Sequence, residues 1–403
     1  MSPQPSRRRF GTSSLVVAAF VGPGTVLTCA TAGVRFDYAL GWVLVFSAIA
    51  VFVLQSFTAA SGILARQGLG EALRGLTTHR VVRAVVFTLV VLGLWIGCAA
   101  FETGNLLGAG AGLDVAFGLG RSATLFISAV LATLLLLLNL RSIARVLAGL
   151  VALMSLLFVS SALLAGVDAG ALLGGLFVPR IPDGSILTVV ALMGTTVVTY
   201  NLFLHASASK DYWSDSDSSH AWRGELLGMA IFIPMGAVVS LAILATGAAL
   251  PGETTPDSIA GFAVLLEPSA GPAARYLFAA GLLAAGLTSA VTAPLAAAAG
   301  ITELFGWSRE DFPLRFRLIW LSVVASGLFF GLTEISPLQL IVAAQAANGV
   351  LLPLIAGTVV VVAWRQSTAR LPTWYLGLGC AIVLICAGLG FRTLVWVGGQ
   401  LGL

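Results

Sequence analysis

Glu102 is the one carboxylate that sits well inside an apolar run, over 82–112. An ionisable side chain at such a depth is a functional candidate by default. A buried carboxyl group can carry a proton. The plainer alternative is a carboxylate at a cavity mouth, or one bonded to Arg317 or to a helix end. Two further stretches place polar chemistry inside apolar runs. The first is Val21-Gly22-Pro23-Gly24-Thr25. Proline removes a backbone donor and glycine on either side lets the chain unwind. Unwinding at mid-membrane frees carbonyls and amides, which is tolerated only where protein or a water-filled cavity receives them. The second is Gly194-Thr195-Thr196-Val197-Val198-Thr199-Tyr200-Asn201, followed by His205, Ser207 and Ser209. Threonine and serine can bond back to the preceding turn. Tyr200 and Asn201 need partners of their own in a dry setting.

These stretches have to be positioned by helices. Eleven apolar runs reach the roughly 20 residues that a spanning helix needs. They centre on 12–34, 37–64, 82–112, 122–140, 144–166, 185–207, 224–250, 274–304, 316–333, 338–363 and 373–397. Segment 210–223 is clearly polar and reads as a solvated loop. With the N-terminus cytoplasmic, sixteen of the 21 lysines and arginines fall on the cytoplasmic side. That asymmetry supports both the orientation and the odd number of spans, with the C-terminus outside. Spans 1 and 6 carry the two interruptions and lie five spans apart. This spacing suggests an inverted repeat, 1–166 and 185–363, with one extra helix over 373–397 and a substrate between the breaks near the midplane.

Composition agrees. The chain is 58% hydrophobic and 9% charged, with a mean hydropathy of +1.01. A soluble domain carries about 25% charged residues, so lipid is the solvent for most of this surface. A net charge of +4 does not indicate nucleic acid, because the basic residues are scattered between apolar runs. Ser6-Arg7-Arg8-Arg9-Phe10 imitates an export signal but reads better as a cytoplasmic basic anchor. Cys29, Cys98, Cys380 and Cys386 lie in apolar runs without metal-ligand spacing and read as packing residues. No Gly-x-x-x-x-Gly-Lys stretch cradles a phosphate. No nucleophile with a placed base lies within the spans, so the reading is not an enzyme, and no cofactor is implied.

With these residues in place, the chain resembles the natural-resistance-associated macrophage protein (NRAMP) family of proton-coupled divalent-metal transporters. The likeness runs nearly end to end. It is carried by Gly22-Pro23-Gly24-Thr25 through Ala32-Gly33, Leu54-Gln55, Asn105-Leu106-Leu107-Gly108, Asn201-Leu202-Phe203-Leu204-His205, Gly281 to Thr292, Gln345 and Pro353. The resemblance implies a leucine-transporter-like fold, all-α and integral to the membrane, with spans 1 and 6 discontinuous. The site departs from the family pattern. Asp-Pro-Gly-Asn in span 1 becomes Gly22-Pro23-Gly24-Thr25. Met-Pro-His-Asn in span 6 becomes Val198-Thr199-Tyr200-Asn201. The acidic pair of span 3 becomes Glu102 and Asn105. Gln345 remains.

A dehydrated transition metal needs anionic or strong donor ligands, and a thioether favours soft ions. Gly22, Thr25, Val198 and Gln345 supply no charge. The substrate is therefore expected to be a small organic solute, held by exposed amides and by Thr25, Thr195, Thr199, Tyr200 and Gln345. The alternative keeps divalent-metal import, with Thr25 and Gln345 touching a partly hydrated ion. A transport-inactive sensor is a further alternative. Glu102, Asn105, Tyr200 and Arg317 are the expected proton route, weakened by loss of the second acid. His205 reads as structural, and Glu303 as a cap or an arginine partner. The expected setting is a bacterial inner membrane.

Overall fold

The computed structural model describes residues 12–76, 79–250, 259–307, 313–333, 337–366 and 371–401. Within these, side chains at 259–260, 262–266, 268–270, 337–347, 349–351, 366, 389–390 and 392–401 are not described. The described chain is helical and contains no strand. Its helices are α1 (Ser13–Phe20), α2 (Pro23–Phe36), α3 (Gly41–Ile63), α4 (Leu69–Leu76), α5 (Arg80–Phe117), α6 (Arg121–Leu136), α7 (Leu140–Leu164), α8 (Ala169–Phe177), α9 (Ile186–Thr196), α10 (Thr199–Tyr212), α11 (Ser218–Ala248), α12 (Ile259–Phe305), α13 (Pro313–Leu332), α14 (Pro337–Gln366) and α15 (Thr373–Leu401).

Among the described residues, seven helical stretches are long and apolar enough to cross a bilayer. The bent pair α1–α2 makes an eighth. Arg121–Leu136, Leu352–Arg365 and Thr373–Gly388 are apolar but shorter. Of the eleven spans expected from the sequence, eight are thus matched by helices of spanning length, while at 122–140, 338–363 and 373–397 the described apolar helices are shorter. Local chemistry sets the ends. Gly118 adopts a left-handed conformation (φ 65°) and closes α5, its N–H donating to Asp114 O, as glycine does after a helix. The Asn139 side chain caps α7, and Asp217 caps α11 by accepting from Ser219 N and His220 N.

Two short helices, α4 and α8, lie in the connectors between apolar runs. Gly271 (φ 78°) breaks α12, so its long apolar stretch begins there. Segment 210–223 is largely helical, with α10 running to Tyr212 and α11 starting at Ser218. Trp213, in the turn between them, is fully buried, so polar composition there hid an anchored corner. The basic stretch Arg7–Arg9 lies outside the described residues. Of the cysteines, Cys29, Cys98 and Cys386 are buried, and Cys380 is exposed on the apolar outer surface.

The core is built around α1, α2, α5 and the 271–305 stretch of α12, the most deeply packed of the long apolar helices. Small residues permit close approach, the usual solution where lipid gives helices no hydrophobic reason to associate. A Cβ on Gly108 of α5 would lie 2.2 Å from Pro23 Cγ. That helix is thereby seated directly against the break between α1 and α2.

Candidate functional site

The first span comes apart at Val21 and Gly22. Val21 N still donates to Val17 O at 2.9 Å, and Gly22 O accepts from Val26 N at 3.0 Å. Between them Gly22 is extended, and the two halves meet at 56°. Unwinding strips the carbonyls of Ala18, Ala19 and Phe20 of their helical donors. Each finds a side chain instead. Ser289 Oγ donates to Ala18 O at 2.9 Å. Tyr200 Oη donates to Ala19 O at 3.1 Å. Thr25 Oγ1 donates to Phe20 O. One turn earlier, Asn201 Nδ2 donates to Val16 O at 3.0 Å. Buried carbonyls require such partners. Here protein groups from α2, α10 and α12 supply them all.

The second break lies at Val197 and Val198, between α9 and α10. The two halves run on as one 27-residue span, Ile186–Tyr212. Thr195 Oγ1, in the last turn of α9, stands 2.8 Å from Thr25 Oγ1. Thr25 has one hydroxyl hydrogen and gives it to Phe20 O, so Thr195 is the donor in this pair. The two breaks therefore touch, hydroxyl to hydroxyl.

Gly22, Thr25, Thr195, Val198, Thr199 and Tyr200 are all buried and gathered here. A Cβ on Gly22 would lie 2.5 Å from Ser289 Oγ and 3.5 Å from Asn105 Oδ1. A side chain at position 22 would have to push the Ser289 hydroxyl aside and would come into ordinary contact with Asn105. Gln345 lies on α14, and its side chain is outside the described residues.

Glu102 and Asn105 sit on α5 behind this point. Glu102 is fully buried. Asn105 Nδ2 approaches Glu102 Oε2 at 3.4 Å, and Glu102 Oε1 has no hydrogen-bond partner among the described residues. Phe101, next to it, meets the Tyr200 ring edge-on at 5.6 Å. The alternative bond from Glu102 to Arg317 is not formed. The residue of α13 that packs on Glu102 is Gly327, where an added Cβ would lie 2.6 Å from Glu102 Cγ. Arg317 is ten positions earlier, about 15 Å along the helix, and exposed. Helix rise alone keeps this arginine away from the acid.

Sequence reasoning missed Glu225, Asn348 and Ser289. Glu225, on α11, is fully buried. It accepts from Thr12 N (3.1 Å to Oε2), Thr12 Oγ1 (3.2 Å), Ser13 Oγ (2.7 Å) and Trp213 Nε1 (2.6 Å). His205 Nε2 lies 3.0 Å from its Oε1, and His205 Nδ1 lies 3.0 Å from Thr58 Oγ1. His205 is thus the hydrogen-bonding residue it was read to be. Glu225 stands at the edge of an apolar run, where a carboxylate looks solvated. Glu303 caps a neighbour rather than pairing with an arginine: its Oε2 accepts from Gly70 N in the first turn of α4, at 3.2 Å.

Two cavities flank this region. One of about 280 Å³ runs from the apolar face of α5 to Thr199, Tyr200 and Asn348. A larger one, about 450 Å³, has a mixed lining that includes Glu71, Lys210, Asp211 and Glu303 beside Leu204, Leu295 and Phe316. In it, Lys210 Nζ pairs with Glu71 Oε1 at 2.7 Å. Among the described residues, no group of three or more His, Cys, Asp or Glu is placed to hold a metal ion. What the two breaks present to each other is hydroxyls, a phenol and amides, with no formal charge.

A sequence model of the natural resistance-associated macrophage protein-like family matches residues 13–396. A divalent metal cation transporter, MntH, from Klebsiella pneumoniae is 27% identical over 394 residues, covering 94% of this chain and 92% of its own. One of the same description from Yersinia pestis is 27% identical over 316 residues, covering 77% and 75%. Among solved structures, a manganese transporter of Eremococcus coleocola superposes with a TM-score of 0.78 at 22% identity, covering 99% of this chain and 90% of that one. MhsT in complex with L-phenylalanine superposes at 0.60 and 16% identity, covering 94% and 98%. The fold is the leucine-transporter-like one.

Proposed function

This chain belongs to the natural resistance-associated macrophage protein-like family of membrane transporters, and from that premise we propose a secondary transporter whose substrate is a small organic solute rather than a dehydrated transition-metal ion. It works by alternating access in a bacterial inner membrane, with the N-terminus cytoplasmic. The repeats 1–166 and 185–363 rock about the point where the two breaks meet, and 373–397 stands outside them.

One observation carries the substrate reading. The contact between the breaks is made by Thr25 and Thr195 hydroxyls, and Gly22, set against Ser289 and Asn105, contributes no ligating side chain. A naked divalent ion placed there would lack an anionic ligand. Burying its charge unpaired costs several kcal/mol or more. A neutral solute asks only for hydrogen bonds, which hydroxyls and exposed amides supply. MhsT holds L-phenylalanine within the same overall fold, so the architecture accommodates an organic substrate. Gly22, Thr25, Thr195, Val198, Thr199, Tyr200 and Gln345 are the groups assigned to hold it. Glu102 is assigned proton coupling, through Asn105 and Tyr200. Arg317 is left out of that route on distance.

A second reading is divalent-metal import with altered selectivity. It is favoured by the relatives described as divalent metal cation transporters, and it requires an ion that keeps part of its water shell. An uptake panel in proteoliposomes separates the two, run with manganese, magnesium and small neutral and zwitterionic solutes, with and without a proton gradient. Saturable uptake of an organic solute, with none of manganese, is expected. Saturable manganese uptake by the unaltered protein overturns the organic reading.

A further inference from the structure

The two breaks face the same chemical problem at their restart residue. Pro23 is the first residue of α2, and Thr199 is the first residue of α10. A residue restarting a helix has a backbone N–H with no partner in its own helix. At position 23 the problem does not arise, because proline has no N–H. At position 199 the N–H is present, buried, and in need of an acceptor.

We infer that Asn348 is the positioning residue of the site, holding the α9–α10 break in one shape by supplying the acceptor that Thr199 needs and the donors that α9 lost. Asn348 Oδ1 accepts from Thr199 N at 2.9 Å and from Thr199 Oγ1 at 2.7 Å. Asn348 Nδ2 donates to Gly194 O at 2.7 Å and to Val197 O at 3.2 Å. A side-chain amide has two hydrogens and an oxygen with two lone pairs, and all four are used. The orientation is fixed by the backbone partners. A flipped amide would set its hydrogens against the Thr199 N–H and its oxygen against two carbonyls.

The consequence is mechanical. One side chain of α14 is bonded to both sides of the break, so α9 and α10 cannot pivot about Val197 and Val198 without breaking these bonds or dragging α14 along. Thr195, the α9 residue that meets Thr25, is flanked by the two carbonyls that Asn348 holds. The amide therefore sets where the Thr195 hydroxyl points. At the first break the link between the halves is a single hydroxyl, Thr25 Oγ1 of α2 donating to Phe20 O of α1, and the helix bends there by 56°.

The test is a double-mutant cycle on the full-length protein in detergent, with the variants Asn348→Leu, Thr199→Pro and the two combined. Melting temperature and hydrogen exchange over 194–204 are the readouts. Neither needs a substrate, so failure here is distinguishable from failure of the substrate reading. Asn348→Leu is expected to speed exchange over 199–201 by about tenfold and to lower the melting temperature. In the Thr199→Pro background, where the demanding N–H is gone, the same change is expected to cost no more than about half as much. A purely space-filling role for Asn348 predicts equal costs in both backgrounds. Equal costs, or unchanged exchange in Asn348→Leu, overturn the inference. If Asn348→Leu alone does not fold, the double variant carries the test: it folds on this account, and its failure to fold contradicts it.

Discussion

The two ends of α1, eight residues apart, are finished in opposite ways. At its start, the free N–H of Thr12 and the hydroxyls of Thr12 and Ser13 converge on Glu225, a fully buried carboxylate that also receives Trp213 and faces His205. At its end, the free carbonyls meet the hydroxyls of Ser289, Tyr200 and Thr25. Helix polarity explains the pattern, since an N-terminus favours an anion and a C-terminus favours donors. The lesson is where charge has been kept. A carboxylate stands where it holds the half-helix in place, and none stands at the hydroxyls through which the two breaks touch. Charge here serves structure, and the contact point is left to hydrogen bonding.

Four changes break or sharpen this contrast. Glu225→Ala should do the most damage. It strands several buried donors at once, and removing one side of such a network costs about 3–5 kcal/mol. The readout is the melting temperature, with loss of folded protein on size exclusion; a variant as stable as the parent would contradict the anchoring role. Gly22→Asp restores an acid to the other end of α1. Its Cβ must displace Ser289 from Ala18 O, and overpacking of this kind costs about 1–3 kcal/mol. Lower stability with no manganese binding is expected. A stable variant that binds manganese would mean the space was available.

Thr25→Ala removes the donor to Phe20 O and frees Thr195. About 1–2 kcal/mol of stability should be lost, together with transport, because the contact between the breaks goes with it. Thr25→Ser should recover most of both. Glu102→Gln should change stability least, by under about 1 kcal/mol, since Glu102 makes no ion pair among the described residues and its Oε1 bonds to nothing. Its effect belongs to coupling. Uptake by this variant should no longer respond to a proton gradient, and an unchanged response would remove Glu102 from the coupling route.

The sequence made the breaks legible because they depend on local chemistry. Gly-Pro-Gly cannot continue a helix at low cost. A cluster running from Gly194 to Asn201 concentrates groups that lipid cannot satisfy. Membrane embedding was legible for a similar reason, in composition. What stayed hidden were the partners brought from elsewhere in the chain. Glu225 lies 213 residues from Thr12, and Asn348 lies 149 residues from Thr199. Nothing in either neighbourhood signals the pairing. Arg317 could be read as a partner or relay for Glu102, whereas helix rise brings Gly327 to that acid instead. Trp213 was concealed by its polar neighbours, because hydropathy averages over a window and burial belongs to single residues.

The account stands or falls on whether the uncharged contact between the breaks can take a divalent metal. Titration calorimetry of the purified, unaltered protein with manganese measures this most directly, with magnesium as the reference ion. No saturable heat that distinguishes manganese from magnesium is predicted. Saturable manganese binding that disappears when Thr25 and Gln345 are replaced would contradict it.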